Sequence, residues 1–201
     1  MDQKEKVKEE KKKALQVLLS LDYRKACVDD LKKIFNLGIS PETKDQYDET
    51  PLIKAVYAQN MDIIKYLISV SANICATNLS GETTLMICAK KGYLDTIKIL
   101  FKNGYDLNKV VPSTTQSPLG LAVWANQSDI VKWLLDNGAD INVLDGMNWT
   151  PLMIASYLGH TDIVKILKKK GANTDLKENH GWTALDLATL YHHEGIIELL
   201  M

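Results

Sequence analysis

The stretch DGMNWTPLMIASYLGHTDIVKILKKKGANTDLKE, from Asp145 to Glu178, decides the fold. Thr150-Pro151 puts a hydroxyl where a helix N-cap accepts a backbone N–H, and proline at the first helical position, where its missing N–H costs nothing. Ile163, Val164 and Leu167 keep the i, i+1, i+4 spacing of a second helix, and Gly171 suits its left-handed end. The stretch reads as helix, tight turn, helix, loop. The same pattern recurs as ETPLIKA from Glu49, ETTLMICA from Glu82, QSPLGLA from Gln116 and WTALDLA from Trp182. Its leucines, Leu52, Leu85, Leu119, Leu152 and Leu185, are 33, 34, 33 and 33 residues apart, and each is followed three residues later by Ala55, Cys88, Ala122, Ala155 or Ala188. Such a period is the signature of stacked repeats, each burying an apolar face against the next.

Composition narrows the function. The 201 residues are 46% apolar, enough for a core, which excludes disorder as the main state. Lysine and arginine total 24 against 25 acidic residues, and Arg24 is the only arginine. Basic excess and bidentate guanidinium forks are both missing, so neither nucleic acid nor a phosphopeptide is an expected partner. The longest apolar or glycine run, Leu119 to Ala125, is seven residues, against the ~20 a membrane helix needs, so no membrane association is expected. Cys27, Cys75 and Cys88 are odd in number and lack metal-ligand spacing, which suits free thiols in the cytoplasm or another reducing intracellular compartment. Delivery into a host cell is also compatible with this. The Met-Asp-Gln-Lys start is too charged for a secretory signal.

The repeat resembles that of ankyrin-repeat proteins, most clearly in the Asp145–Glu178 unit. The resemblance implies an all-α ankyrin-repeat solenoid of stacked helix-turn-helix units with projecting hairpin loops. Its divisions are a capping helix over 1–22, a degenerate first repeat over 23–47, repeats over 48–80, 81–114, 115–147 and 148–180, and a truncated or capping repeat over 181–201. Several departures carry expectations of their own. The histidine usual after Thr-Pro-Leu is replaced by Ile53, Met86, Gly120, Met153 and Asp186, so packing there is apolar in the inner repeats. Ser71 stands at a glycine C-cap. The extra residue within Lys109–Thr115 predicts a divergent polar hairpin, with modification of Ser113 to Thr115 as the lesser alternative. Asn108 and Asn142 resemble sites of asparaginyl hydroxylation; the alternative, which the residue type favours, is that they brace their loops.

Stacking accounts for most residues, leaving few for catalysis. There is no phosphate loop and no paired-acid motif, so an enzyme is not expected, nor is any cofactor. His180, His192 and His193 are the one cluster that suggests a metal or redox site, but the adjacent pair points in different helical directions, and the expectation is no metal. Cys88 fills a small core position and Cys75 an extended loop.

Binding is the remaining reading. The resemblance implies that a protein or peptide partner meets the hairpin tips and the exposed side of each first helix. The candidate partner-binding residues there are Tyr47, Tyr57, Lys90, Lys91, Trp124, Met147, Trp149, Tyr157, His180, Trp182 and Tyr191. Seven of them are aromatic, half of all the Trp, Tyr and Phe in the chain, and Trp, Tyr and Met are the types enriched at binding anchors. Trp133, beside Leu134 on a second helix, is assigned to packing between repeats. The rival use of the same face is homo-oligomeric assembly; a monomer is the expectation.

Overall fold

A computed structural model describes residues 3–109 and 116–201, so the divergent hairpin, with Ser113 and Thr114, lies outside the described residues apart from Lys109. Twelve helices form among them, in the expected pairs. They are α1 Gln3–Ser20, α2 Val28–Asn36, α3 Pro51–Ala58, α4 Met61–Ser69, α5 Thr84–Lys91, α6 Leu94–Lys102, α7 Pro118–Trp124, α8 Ser128–Asp136, α9 Pro151–Leu158, α10 Thr161–Lys169, α11 Ala184–Leu190 and α12 Glu194–Leu200. The chain divides into two compact units between Ile87 and Cys88, within α5. In the first, α4 packs on α2 and α3, and α1 on α2; in the second, α9 packs on α7, α10 and α11, and α10 on α8 and α12.

Local chemistry explains where the first helices of the repeats begin. The hydroxyls of Thr50, Ser117 and Thr150 accept the backbone N–H groups of Ile53, Gly120 and Met153, with Pro51, Pro118 and Pro151 opening the helices. Asp186, one of the residues that replace the usual histidine, caps the helix that carries it. Its carboxylate accepts from the Thr183 amide at 2.8 Å while the Thr183 hydroxyl accepts from the Asp186 amide at 3.2 Å, a reciprocal cap that satisfies two orphan donors. The second helices end as read, with Gly104, Gly138 and Gly171 at φ 88°, 94° and 85°, and Ser71 at 62°.

The core follows the repeat. Leu52, Leu85, Leu119 and Leu152 are buried, as are Ile63, Ile97, Ile130 and Ile163 on the second helices. In the last repeat Leu185, Ile197 and Leu200 are half-buried. Ile53, Met86 and Met153 are buried, so the departures from histidine give apolar packing. Trp133 meets Phe101 of the preceding repeat edge-on, with ring centroids 5.4 Å apart. In the first unit the charge run on α1 is a solvated helix face, with Glu9 and Lys13 paired at 3.9 Å. Cys88 is buried, and Cys75 lies in a turn, not in an extended loop. No helix among the described residues is long and apolar enough to cross a membrane.

Candidate functional site

One device builds every described hairpin. A side-chain oxygen accepts the backbone N–H groups two and four residues ahead: Asp45 from Tyr47 and Glu49, Asn78 from Ser80 and Glu82, Asp145 from Met147 and Trp149, Glu178 from His180 and Trp182. The turn this closes requires a left-handed residue, supplied by Asp48, Gly81, Asn148 and Gly181. The same loop therefore presents Trp149 and Trp182 from equivalent positions, four residues after the acceptor, and Tyr47, Met147 and His180 from another, two residues after it. Burial works against the charged form of Asp45, but Lys54 at 2.8 Å and the two amides outweigh it and hold the carboxyl below its ordinary range. Burial likewise opposes ionisation of Glu178, yet the His180 ring and the amides of Trp182 and His180 hold it low.

In the second unit the aromatic residues gather around Tyr157. Its ring meets Trp124 at 6.2 Å, Trp149 at 5.2 Å and Tyr191 at 4.6 Å between centroids, all edge-on. Ring pairs in this geometry contribute about 0.5–1.5 kcal/mol each beyond their buried area. Trp124, Trp182 and Tyr191 remain 42%, 43% and 46% exposed. Burial, with the adjoining Tyr157 hydroxyl, pushes the Tyr191 phenol up. Trp149 and Tyr157 are half-buried, so they are partly bracing and not simply open, because each wedges against a ring from a neighbouring turn. Beside this cluster Trp182, Asp186, Thr189 and Leu190 line an open depression of about 260 Å³.

Two histidines support the cluster from behind. His193 Nε2 donates to the carbonyl of Tyr157 at 3.0 Å, and His160, one repeat earlier, has the Trp124 carbonyl beside its ring favouring the charged form. The His193 bond ties the turn of one repeat to the helix end that carries a ring in the repeat before. Burial lowers the pKa of His160, and its Nε2 is buried without a partner among the described residues. The sequence pattern gave His160 no role and placed His193 only in the histidine cluster. The signal that would have found them is the 33-residue step between His160 and His193 set against the 33-residue step between Trp124 and Tyr157.

The remaining candidates fall apart from this cluster. In the first unit Tyr47 is 58% exposed, and the half-buried Tyr57 accepts a hydrogen bond from Asn78 at 3.3 Å. In the second, Lys90 and Lys91 are exposed at the end of α5, and Met147 stands free on its hairpin. His180 sits 2.8 Å from Glu178 through Nδ1, His193 is committed to Tyr157, and His192 occupies a left-handed turn at φ 58°. The three histidines are thus engaged separately, and no group of His, Cys, Asp and Glu that could hold a metal ion occurs among the described residues. Asn108 accepts from the Asp140 amide at 2.7 Å and donates to the Gly138 carbonyl at 3.1 Å; Asn142 accepts from the Asn173 amide at 3.0 Å. Both asparagines brace the following repeat.

A family model of ankyrin repeats, three copies long, matches residues 9–111 and 119–201. The chain belongs to the ankyrin-repeat family. Among curated proteins it is similar to an L-asparaginase of Dirofilaria immitis, 30% identical over 120 residues, which is 60% of this chain and 20% of that protein. It is similar to an ankyrin repeat and KH domain-containing protein of Caenorhabditis briggsae, 35% identical over 92 residues, 45% of this chain and 4% of that protein. An ankyrin repeat and SAM domain-containing protein of Rattus norvegicus is 26% identical over 106 residues, 52% of this chain and 12% of that protein. The chain therefore spans a fifth or less of the length of each of these three. Ankyrin repeats generally mediate protein–protein interaction and are typically non-enzymatic.

Proposed function

We propose that this ankyrin chain is a non-enzymatic interaction module whose second unit binds a protein or peptide through Trp124, Trp149, Tyr157, Trp182 and Tyr191, with Met147 and His180 at the rim. The observation that carries the reading is a cluster of rings locked by edge-on contacts and a carbonyl tie, with Trp124 and Tyr191 in it, and Trp182 beside it, still more than two-fifths exposed. Rings held in place before contact lose little rotamer entropy on association, so more of the buried area appears as affinity. Tyr47 and Tyr57 form a separate candidate surface on the first unit, and Lys90 and Lys91 contribute a charged one on the second. Three free thiols support a reducing intracellular compartment as the place where the module works.

The test is partner capture from the native cell by the wild-type chain and by a Trp124→Ala/Trp182→Ala variant, each with its folding checked by circular dichroism. The expected result is a partner lost with the two rings while the helical signal persists. Capture unchanged by the double substitution would move the recognition surface elsewhere. A chain whose sedimentation coefficient rises with concentration, and stops rising in the double variant, would assign the face to self-association.

A further inference from the structure

The described hairpins share one acceptor device but differ in what neutralises it. At Asp45 one carboxylate oxygen takes the amides of Tyr47 and Glu49, and the other takes the Lys54 ammonium at 2.8 Å. Asn78 has no charge to balance, and Glu178 is bonded by the His180 ring at 2.8 Å. Asp145 takes the Met147 and Trp149 amides through one oxygen in the same way, but its second oxygen has no bond and no ion pair among the described residues. The difference lies further along the repeat. Lys54 follows Asp45 by nine residues, and the residue nine after Asp145 is the buried Ile154. Trp124, Asp145, Trp149 and Ile154 help line one small depression in the second unit, with room of about 10 Å³, enough for a group the size of one water molecule. Charge is sorted around it. Residues 116–201 hold six lysines and no arginine; Lys177 precedes a hairpin, the other five stand on α8 and α10 or directly after α10, and none is on α7, α9 or α11.

Resting on the interaction-module reading, we infer that this depression receives the ammonium of a lysine side chain carried by the partner, which restores at Asp145 the pair that Lys54 supplies from within the chain at Asp45. The partner's contacting segment is therefore basic. A neutral or acidic segment laid over Trp124 and Trp149 would strip water from the Asp145 carboxylate and give it no counter-charge, and a charge buried without a partner is strongly unfavourable. Size selects among the cations. A lysine ammonium is a compact point charge with three donors, whereas the guanidinium of arginine is a broad planar fork that a space for one water does not hold. The walls suit the same group, because an ammonium is attracted to an indole face and the apolar lysine stem packs along ring surface while its head reaches the acid. With no lysine or arginine on the three first helices, nothing on them repels it.

The probe is a displayed library of random peptides, selected on the whole wild-type chain, with the binders then compared on Asp145→Asn and on Trp124→Ala/Trp182→Ala. Asparagine is already the acceptor in the hairpin at Asn78, so Asp145→Asn keeps the turn and removes the charge. The expected binders share a lysine. Against the best of them Asp145→Asn should weaken binding about ten- to hundredfold, the worth of a hydrogen bond to a charged group, and replacing the peptide's lysine by alanine or by arginine should weaken it on wild-type chain as well. Ile154→Lys puts the internal lysine back and should block the site as Asp145→Asn does, with the circular dichroism of wild type. If a variant fails to fold, the lysine substitutions in the peptide, read on wild-type chain, decide the matter unaided. Binders that need the two tryptophans but tolerate loss of the lysine, or that prefer arginine there, overturn the lysine assignment and leave the module reading intact. A library that yields no tryptophan-dependent binder overturns both.

Discussion

Replacing Ser71 by glycine should stabilise the chain. Ser71 follows α4 at φ 62°, the position that Gly104, Gly138 and Gly171 hold after α6, α8 and α10. The turn itself is complete, since the Ser71 amide donates to Ile68 at 3.0 Å and the Ala72 amide to Leu67 at 2.9 Å. At the three glycines an added Cβ meets nothing within 4 Å, so a side chain at this position costs conformational energy and no collision. A left-handed L-residue costs about 1–2 kcal/mol, and glycine gives back roughly 0.5–1 kcal/mol through its freer unfolded state. The difference is a gain of about 0.5–1 kcal/mol for Ser71→Gly, which at about 2–4 °C per kcal/mol for a chain of this size raises Tm by roughly 1–4 °C. Ser71→Ala is the control and should leave Tm nearly unchanged, because the alanine keeps the same strained backbone and the serine hydroxyl makes no hydrogen bond among the described residues. Thermal and urea melts of the three chains measure this. A Ser71→Gly chain that melts at or below wild type would refute the strain argument.

Leu152→Ala removes a buried leucine and should cost about 2–5 kcal/mol in a urea melt, whereas Trp182→Ala, at an exposed ring, should cost less than about 1 kcal/mol in stability while lowering partner affinity by about 2 kcal/mol or more. Trp149→Ala should fall between them in stability, because that ring is half-buried against Tyr157. Burial lowers the pKa of His160 below its ordinary 6.5, so the unfolded chain takes up this proton first. The stability His160 contributes is therefore complete above about pH 6.5 and declines as the pH falls below it; His160→Asn, the residue type at the equivalent Asn60, should flatten that acid limb. Burial also pushes the Cys88 thiol up, so under native conditions a thiol reagent should label the exposed Cys27 quickly and Cys88 only as fast as the second unit opens.

Helix pairs, their caps and the buried leucine column were legible because each rests on signals within a dozen residues: Thr-Pro at the start, glycine at the end, apolar spacing between. The left-handed turns at Asp48, Gln59, Asn126, Asn148 and His192 were not, because polar residues adopt that backbone only where the surrounding turn demands it. The aromatic face was legible as a set of positions but not as a contact pattern. Nothing local to Tyr157 says that it touches Trp124 and Tyr191, each a full repeat away, or that this contact half-buries Trp149. The tie from His193 escaped for the same reason, since its acceptor is a backbone carbonyl of the preceding repeat, and a carbonyl leaves no trace in a sequence.

The loop braces define when one amide proton can leave. The amides of Asn73, Asp140 and Asn173 donate to side chains 31 or 32 residues earlier, at Glu42, Asn108 and Asn142. Fraying a helix does not break these bonds; moving one repeat off its neighbour does. Hydrogen–deuterium exchange at these three amides is therefore a built-in clock for the parting of adjacent repeats, separate from the helical amides that time the melting of each repeat. A ligand that clamps neighbouring repeats would slow Asp140 and Asn173 while leaving the helix amides to exchange as before.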